Sequence, residues 1–140
     1  MDASTEGLRK AERLAQEHGV EIEYVQADLA GFDLGRGRWA GIVSIFAHLP
    51  PPLRRQVHAA VPRALQPGGA LLLEAYTPRQ LEHGTGGPPV AELMMSEAIL
   101  RDELPGLEFE HLAELEREVI EGRGHTGTGA VVQAIARRPA

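Results

Sequence analysis

Cysteine is absent from this chain of 140 residues. That absence removes disulfides, thiolate metal sites and cysteine nucleophiles together. Long apolar runs are also missing, since the longest are about strand length and fall short of the ~18 residues a membrane span needs. Nor does the N-terminus show the basic-then-apolar pattern of a secretion signal. Basic charge is scarce: 14 Lys and Arg stand against 20 Asp and Glu, for a net charge of -6. No run of five basic residues occurs, so a nucleic-acid groove, which needs a basic face, is not expected. The six histidines are scattered without the H-x-x-x-H spacing of a helical metal site. These absences lead to the expectation of a reducing, cytoplasmic setting with no metal, membrane or nucleic-acid partner.

The residues that are present suit a single folded domain. Hydrophobic residues make up 43% and charged ones 24%, and a chain of this length buries a real core. Ser4 or Thr5 caps a helix with Glu6 in its first turn, and Gly19 stops it. Within it Leu8, Ala11, Leu14 and Ala15 recur at helical spacing. Val20–Ala27 reads as a strand ending at Asp28. Ile42–Phe46 is a short apolar run of the kind that suits a strand buried on both faces. Pro50, Pro51 and Pro52 open a helix whose stripe is Leu53, Val57, Ala60, Val61 and Ala64, with Pro62 expected to kink it or split off its last turn. Gln66-Pro67-Gly68-Gly69 reads as a turn before a strand from Ala70 to Tyr76. The polar, glycine-rich stretch Thr77–Pro89 reads as a long loop, functional or mobile. A helix is expected over Val90–Leu104, with Leu93, Met94, Ile99 and Leu100 inward. Two antiparallel strands, Leu107–Ile120 and Thr128–Ala136, are joined through Gly122-Arg123-Gly124.

Apolar strands alternating with amphipathic helices predict an α/β fold, mostly parallel with an antiparallel C-terminal hairpin. The first helix has no strand before it to cross over from. In such sheets ligands bind outside the carboxyl ends of the parallel strands. That rule selects Asp2–Ser4, Asp28–Phe32, Ser44–Pro52 and Glu74–Pro89. Carboxylates at two of these ends suit nucleoside recognition, one for ribose hydroxyls and one for an adenine amino group. The plainer reading makes Asp2 and Asp28 only helix-cap and turn residues. Gly84–Pro89 lacks the Lys-Ser/Thr that completes a phosphate loop; it reads instead as a flexible lid.

At these positions the chain resembles the class I S-adenosylmethionine-dependent methyltransferases, most closely small bacterial members of the tellurite-resistance and small-molecule type. The resemblance lies in Met1-Asp2-Ala3-Ser4 with Gly7-Leu8 and Lys10-Ala11, in Ala27-Asp28-Leu29, in Ile42 through Pro50, and in Leu65-Gln66-Pro67-Gly68-Gly69 with the leucine-rich strand after it. It covers essentially the whole chain through an ordered set of blocks, none specific alone. It implies a Rossmann-like sheet, S-adenosylmethionine as cofactor and a small-molecule methyl acceptor. By resemblance Asp2, with Ala3 and Ser4, contacts the ribose, and Asp28 with Leu29 frames the adenine. Ser44, Ile45 and Phe46, with His48, line the face toward which the methyl points. The family's acidic-Gly-x-Gly-x-Gly block is not in the chain. The expectation is therefore one incomplete domain over residues 1–140, with its first strand-helix-strand unit absent.

His48, after a strand end, is the candidate general base, and Tyr76 with Glu74 would orient the acceptor. His83 is a weaker candidate, while His111 and His125 are expected to lie away from the carboxyl ends. Without a neighbour, the Ile42–Phe46 strand would expose an apolar edge. A longer natural protein, pairing with a second copy as a homodimer, or a shift of the Val20–Ala27 strand would each resolve that edge. The alternative to an enzyme is a non-catalytic module that folds or dimerises without turnover. A nicotinamide oxidoreductase half fits the element order but neither the Leu-x-Pro-Gly-Gly turn nor the antiparallel tail.

Overall fold

The computed structural model describes residues 1–120, 122 and 124–140. Arg123, expected in the hairpin connection, lies outside the described residues. Residues 1–33 and 34–140 form two compact units, each with its own local logic.

In the first unit, helix α1 spans Thr5–His18. Ser4 caps it, its Oγ accepting the Gly7 N–H at 3.0 Å, and Gly19 closes it in the left-handed region at φ 63°. Of the expected stripe only Ala15 is buried; Leu8 and Ala11 are half-buried, and Leu14 is 55% exposed. The expected Val20–Ala27 strand does not form. This stretch makes one parallel bridge, Asp2 to Gln26, in which the Asp2 N–H donates to Val25 O and the Ala27 N–H to Asp2 O, both at 3.1 Å. A ladder needs successive donors and acceptors alongside, and among the described residues Asp2 alone supplies them. Tyr24 ties the segment to α1 by donating its hydroxyl to Ala11 O at 3.1 Å.

The second unit is a four-stranded sheet in the order β1-β2-β4-β3. Strand β1 is Trp39–Ile45, helix α2 Pro51–Ala64 and β2 Leu65–Tyr76. Helix α3 is Glu97–Glu103, β3 Glu108–Ile120 and β4 Thr126–Arg137. β1 and β2 run parallel, and β4 pairs antiparallel with both β2 and β3. The C-terminal hairpin therefore sits on one side of the sheet, as the antiparallel reading of its two strands expects.

Side chains alternate across a strand, and here one face is covered and the other is not. Leu71, Leu73, Ala75, Val132, Ala134 and Ala136 join Val61 of α2 and Leu100 and Leu104 of α3 in the core. β1 departs from the expectation of burial on both faces: Ile42 packs against this core, but Val43 is 68% and Ile45 52% exposed. Val43 is register partner of Leu72, and Leu72 of Ile135; both partners are also exposed. β1 lies at the sheet margin, and these exposed side chains are on the face opposite α2 and α3.

Three further expectations change. Pro51 and Pro52 occupy the first turn of α2 as expected, but the helix continues through Pro62 to Ala64. Pairing begins at Leu65, ahead of the expected turn, and its register shifts between Trp39 and Gly41, so Gln66–Gly69 is an irregularity inside β2. Gly68 takes φ 76° there, a region open to glycine at little cost. The expected Val90–Leu104 helix splits into a 3₁₀ turn at Ala91–Leu93 and α3. Met95 donates its N–H to Tyr76 O instead of to a helical carbonyl, and Ser96 starts α3 afresh by capping Ile99 at 3.2 Å.

Candidate functional site

A cavity of about 400 Å³ is lined by Phe46, His48, Tyr76, Gly87, Pro88, Leu93 and His125. It lies at the carboxyl ends of β1 and β2, the place the parallel-strand rule selects.

Phe46 directly follows β1 and holds φ at 50°, a conformation rare for a bulky residue and costly by about 1–3 kcal/mol. Its N–H donates to Glu74 O at 2.8 Å, and its carbonyl accepts the His48 N–H at 3.1 Å. The ring stacks on Tyr76, with centroids 4.6 Å apart. His48 lies nearly parallel to Tyr76, at 5.6 Å and 12°. Three rings thus form one wall.

His48 has both ring nitrogens occupied. Nδ1 lies 2.9 Å from Leu93 O, which only accepts, so this nitrogen carries the hydrogen. Nε2 then accepts the Tyr76 N–H at 3.4 Å. Burial holds the imidazole below its ordinary pKa; the Leu93 carbonyl opposes that, and the charge of Arg54 adds to it. His48 is therefore a neutral, oriented ring at pH 7.

Behind the cavity stands a buried ionic cluster that the apolar stripe of α2 concealed. Arg54 is 3% and Glu103 7% exposed. Arg54 Nε lies 3.0 Å from Glu103 Oε2 and its Nη2 3.0 Å from Oε1. Nη1 donates to Glu92 O at 3.0 Å and Met94 O at 3.3 Å. These two carbonyls flank Leu93, so Arg54 fixes the segment that holds His48. His58 Nδ1 is 2.8 Å from Glu103 Oε2, yet its alignment falls short of a hydrogen bond. Burial chiefly lowers the His58 pKa; Glu103 pulls it up and Arg54 pushes it down. His58 is thus a neutral neighbour of the Arg54–Glu103 pair.

The loop Thr77–Pro89 is not structureless. Pro78–Glu82 forms a 3₁₀ turn, and Gln80 is 1% exposed. Its Nε2 donates to Thr85 Oγ1 and Gly86 O, while its Oε1 accepts the Ala130 N–H at 2.8 Å. Thr85 Oγ1 in turn donates to Thr128 O at 2.6 Å.

Of the residues selected from sequence, Phe46, His48 and Tyr76 meet at this cavity. Ser44 and Ile45 sit in β1 outside its lining, Ser44 half-buried and Ile45 52% exposed. Glu74 does not reach the cavity lining: it pairs with Arg117 and accepts Gln133 Nε2 at 2.9 Å. His83 faces Glu116 at 3.5 Å, and Met94 and Met95 are core. His125 corrects the expectation, because it lines the cavity. β4 runs antiparallel to β2, so its start lies where β2 ends. That topological signal was present in the hairpin reading.

Asp2, Ala3, Ser4, Asp28 and Leu29 belong to the first unit. Asp2 Oδ1 accepts the Ser4 N–H at 2.8 Å, and Asp28 Oδ1 the Ala30 N–H at 2.9 Å. Both are thus turn residues, and the second oxygen of each carboxylate has no hydrogen-bond partner among the described residues. Asp2 Oδ2 lies 2.7 Å from where a Cβ on Gly7 would stand, so glycine at 7 leaves room for this carboxylate. Among the described residues no cluster of three or more His, Asp or Glu could hold a metal, and no helix is long and apolar enough to cross a membrane.

The comparisons agree with this architecture. The family model for a methyltransferase domain matches residues 1–69. No curated protein matches the sequence. A structure described as "Conversion of a Disulfide Bond into a Thioacetal Group during Echinomycin Biosynthesis" superposes with TM-score 0.72 at 20% identity, over 98% of this chain and 65% of that one. A SAM-dependent methyltransferase from Methanosarcina mazei gives 0.73 at 17% identity, over 99% of this chain and 80% of that one. TehB from Haemophilus influenzae gives 0.73 at 15%, over 97% of this chain and 48% of that one. The chain thus carries sequence matching the methyltransferase-domain model over residues 1–69 and shares the Rossmann-like fold of these structures.

Proposed function

We propose that the chain serves S-adenosylmethionine-dependent methylation of a small molecule, with the cavity at the ends of β1 and β2 receiving the acceptor. The observation that carries this reading is the strained Phe46. Its left-handed backbone joins its ring to those of His48 and Tyr76 at the strand end where the family's chemistry takes place.

In the first unit, the open carboxylate oxygens of Asp2 and Asp28 suit a nucleoside's hydroxyl and amino donors. Asp2, Ala3 and Ser4 would hold the ribose, and Asp28 and Leu29 the adenine. In the second unit, Ser44, Ile45 and Phe46 supply the β1 terminus beside the reacting groups. The cofactor, when bound, supplies an activated methyl for in-line displacement. The chain's own residues chiefly align the acceptor and exclude water, worth up to ~7–11 kcal/mol in ideal cases. Tyr76 and the neutral His48 orient the acceptor through their ring faces, because both His48 nitrogens are taken by Leu93 O and the Tyr76 N–H. The setting we propose is cytoplasmic.

Calorimetry with S-adenosylhomocysteine tests this reading: heat is expected from the wild type, with binding at least tenfold weaker in Asp2→Asn and in Asp28→Asn. No heat at high micromolar ligand would refute it. A second reading is a non-catalytic module that homodimerises through β1. The observation favouring it is that Trp39–Ile45 carries no charge or proline at the sheet margin, where proteins usually place both. A dimer by light scattering that Val43→Lys abolishes, without any cofactor heat, would favour this second reading.

A further inference from the structure

The cavity holds two histidines, and the structure separates their roles. His48 is locked between Leu93 O and the Tyr76 N–H. A second proton would place an N–H on Nε2 against that backbone N–H. His125 is exposed, at the start of the β4 side of the hairpin. Its backbone N–H donates to Gly122 O at 3.0 Å, while its ring has no hydrogen bond or ion pair among the described residues. The ring occupies the space a side chain at 86 would need: a Cβ on Gly86 would lie 2.5 Å from His125 Cδ2. Gly87 is similarly closed, its Cβ position 3.0 Å from the Tyr76 ring. The two glycines therefore let the loop pack directly against one ring of the wall and one ring of the hairpin.

The lining also restricts what enters. Phe46, Tyr76, His48, Pro88 and Leu93 offer flat or apolar surface, and no described lining residue carries a carboxylate to compensate a buried cation. Stacked rings favour a flat ligand in offset or edge contact. We propose that His125 is the proton acceptor of this cavity, acting on a flat, uncharged ring compound that bears an ionisable hydroxyl. The O–H bond breaks with its electron pair left on oxygen, and the proton forms a new N–H bond on the His125 imidazole. The imidazolium then releases that proton to solvent. The inference rests on the proposed acceptor role of the cavity and names the acceptor's class.

The probe is 2-naphthol, whose ionisation is read directly from its absorbance, added to the full chain. Binding is followed by the shift of the His48 and His125 imidazole resonances. The apparent ionisation of bound naphthol should move at least tenfold toward the naphtholate. His125→Gln should return it to the free value while naphthol still binds. His48→Gln should weaken binding but leave the tenfold ionisation shift of whatever binds. Equal urea midpoints for wild type and His125→Gln would confirm that the exposed substitution leaves the fold intact. An ionisation shift that persists in His125→Gln overturns the assignment, as does naphthol binding that leaves the His125 resonances unmoved. Failure of naphthol to bind while S-adenosylhomocysteine gives heat overturns the acceptor class alone. A His125-dependent naphthol shift without cofactor heat supports the inference and removes the methyltransferase reading.

Discussion

Replacing Glu103 by Gln removes one charge from a site where almost no water remains. Arg54 reaches Glu103 through Nε at 3.2 and 3.0 Å and through Nη2 at 3.0 Å, and both side chains are under 5% exposed. Glutamine retains one acceptor oxygen, so a guanidinium-to-amide hydrogen bond replaces the bidentate ion pair, and its amide N–H donors find no acceptor on a guanidinium. Breaking one partner of a buried ion pair costs about 3–5 kcal/mol, because the remaining charge stays buried without compensation. Arg55 lies 3.7 Å from Glu103 but is 66% exposed, so losing that contact adds under about 1 kcal/mol. The expected destabilisation is therefore about 3 kcal/mol or more. Urea unfolding monitored by Trp39, the chain's single tryptophan, measures it. Arg54→Met with Glu103→Leu removes both charges, and such exchanges are often neutral or stabilising. It still orphans Glu92 O and Met94 O, each worth about 1–3 kcal/mol when unsatisfied. The double variant should thus be no less stable than Glu103→Gln, yet should loosen His48 as seen in its imidazole resonances. A loss below about 1 kcal/mol in Glu103→Gln would refute the claim that the pair is desolvated.

The remaining predictions address pH and backbone. His48 and His58 both have lowered pKa values, so between the folded value and the ordinary 6.5 the unfolded chain binds more protons. Stability should therefore be full above this range and fall as pH drops below about 6.5; His58→Gln should flatten the urea-midpoint profile there, and an unchanged slope would contradict the burial argument. A Cβ at Gly69 would stand 2.9 Å from Gln66 O and 3.0 Å from Ala40 O and Trp39 O; Gly69→Ala should cost about 1–3 kcal/mol by overpacking, and a neutral result would mean that the strand junction yields. Phe46→Gly and Phe46→Ala lose the same ring, but only alanine keeps the cost of φ 50°. Glycine should be the more stable by about 1 kcal/mol in urea, reversing its usual deficit against alanine; the ordinary order would refute the strain. Ser4→Ala should lower the helicity of α1 with a loss of about 1 kcal/mol, visible by circular dichroism.

What could be read from sequence was what local chemistry decides. Ser4 and Gly19 bound α1 because a cap and a left-handed stop act within one turn. The C-terminal hairpin was legible as two long stretches joined through a short glycine-bearing connection. Val20–Ala27 alternates without forming a strand, because alternation makes a strand only where a partner supplies donors and acceptors along its length. The helix over Val90–Leu104 was overextended because the break depends on Met95 giving its N–H to Tyr76, nearly twenty residues away. The burial of Arg54 and His58 is not legible in the sequence for a related reason. They share the spacing of a buried face with Val61, but a basic residue there looks solvent-exposed until Glu103 is known to lie opposite. Phe46, His48 and Tyr76 are legible as strand-end residues and Gly87 and Pro88 as part of the lid segment, whereas Leu93 and His125 need the topology.

The supports of the cavity converge on one short stretch, Glu74–Gln80. Glu74 O receives Phe46 N–H, Tyr76 N–H reaches His48, and Tyr76 O receives Met95 N–H. Thr77 N–H goes to Ala130 O, and Gln80 binds Ala130, Thr85 and Gly86 through its side chain. Parallel pairing of β1 with β2 ends at Ile45 and Glu74. Past that point the β2 backbone facing β1 has no strand to bond. Buried backbone groups must nonetheless find partners, so they take them from Phe46, from the His48 ring and from Met95. Each such bond fixes a segment that contributes to the cavity wall. The carboxyl end of a parallel strand is thus a place where a regular ladder releases its donors and acceptors to irregular segments. The cavity follows from that release, and the strain at Phe46 is tolerated because bonds on both sides of the residue hold it.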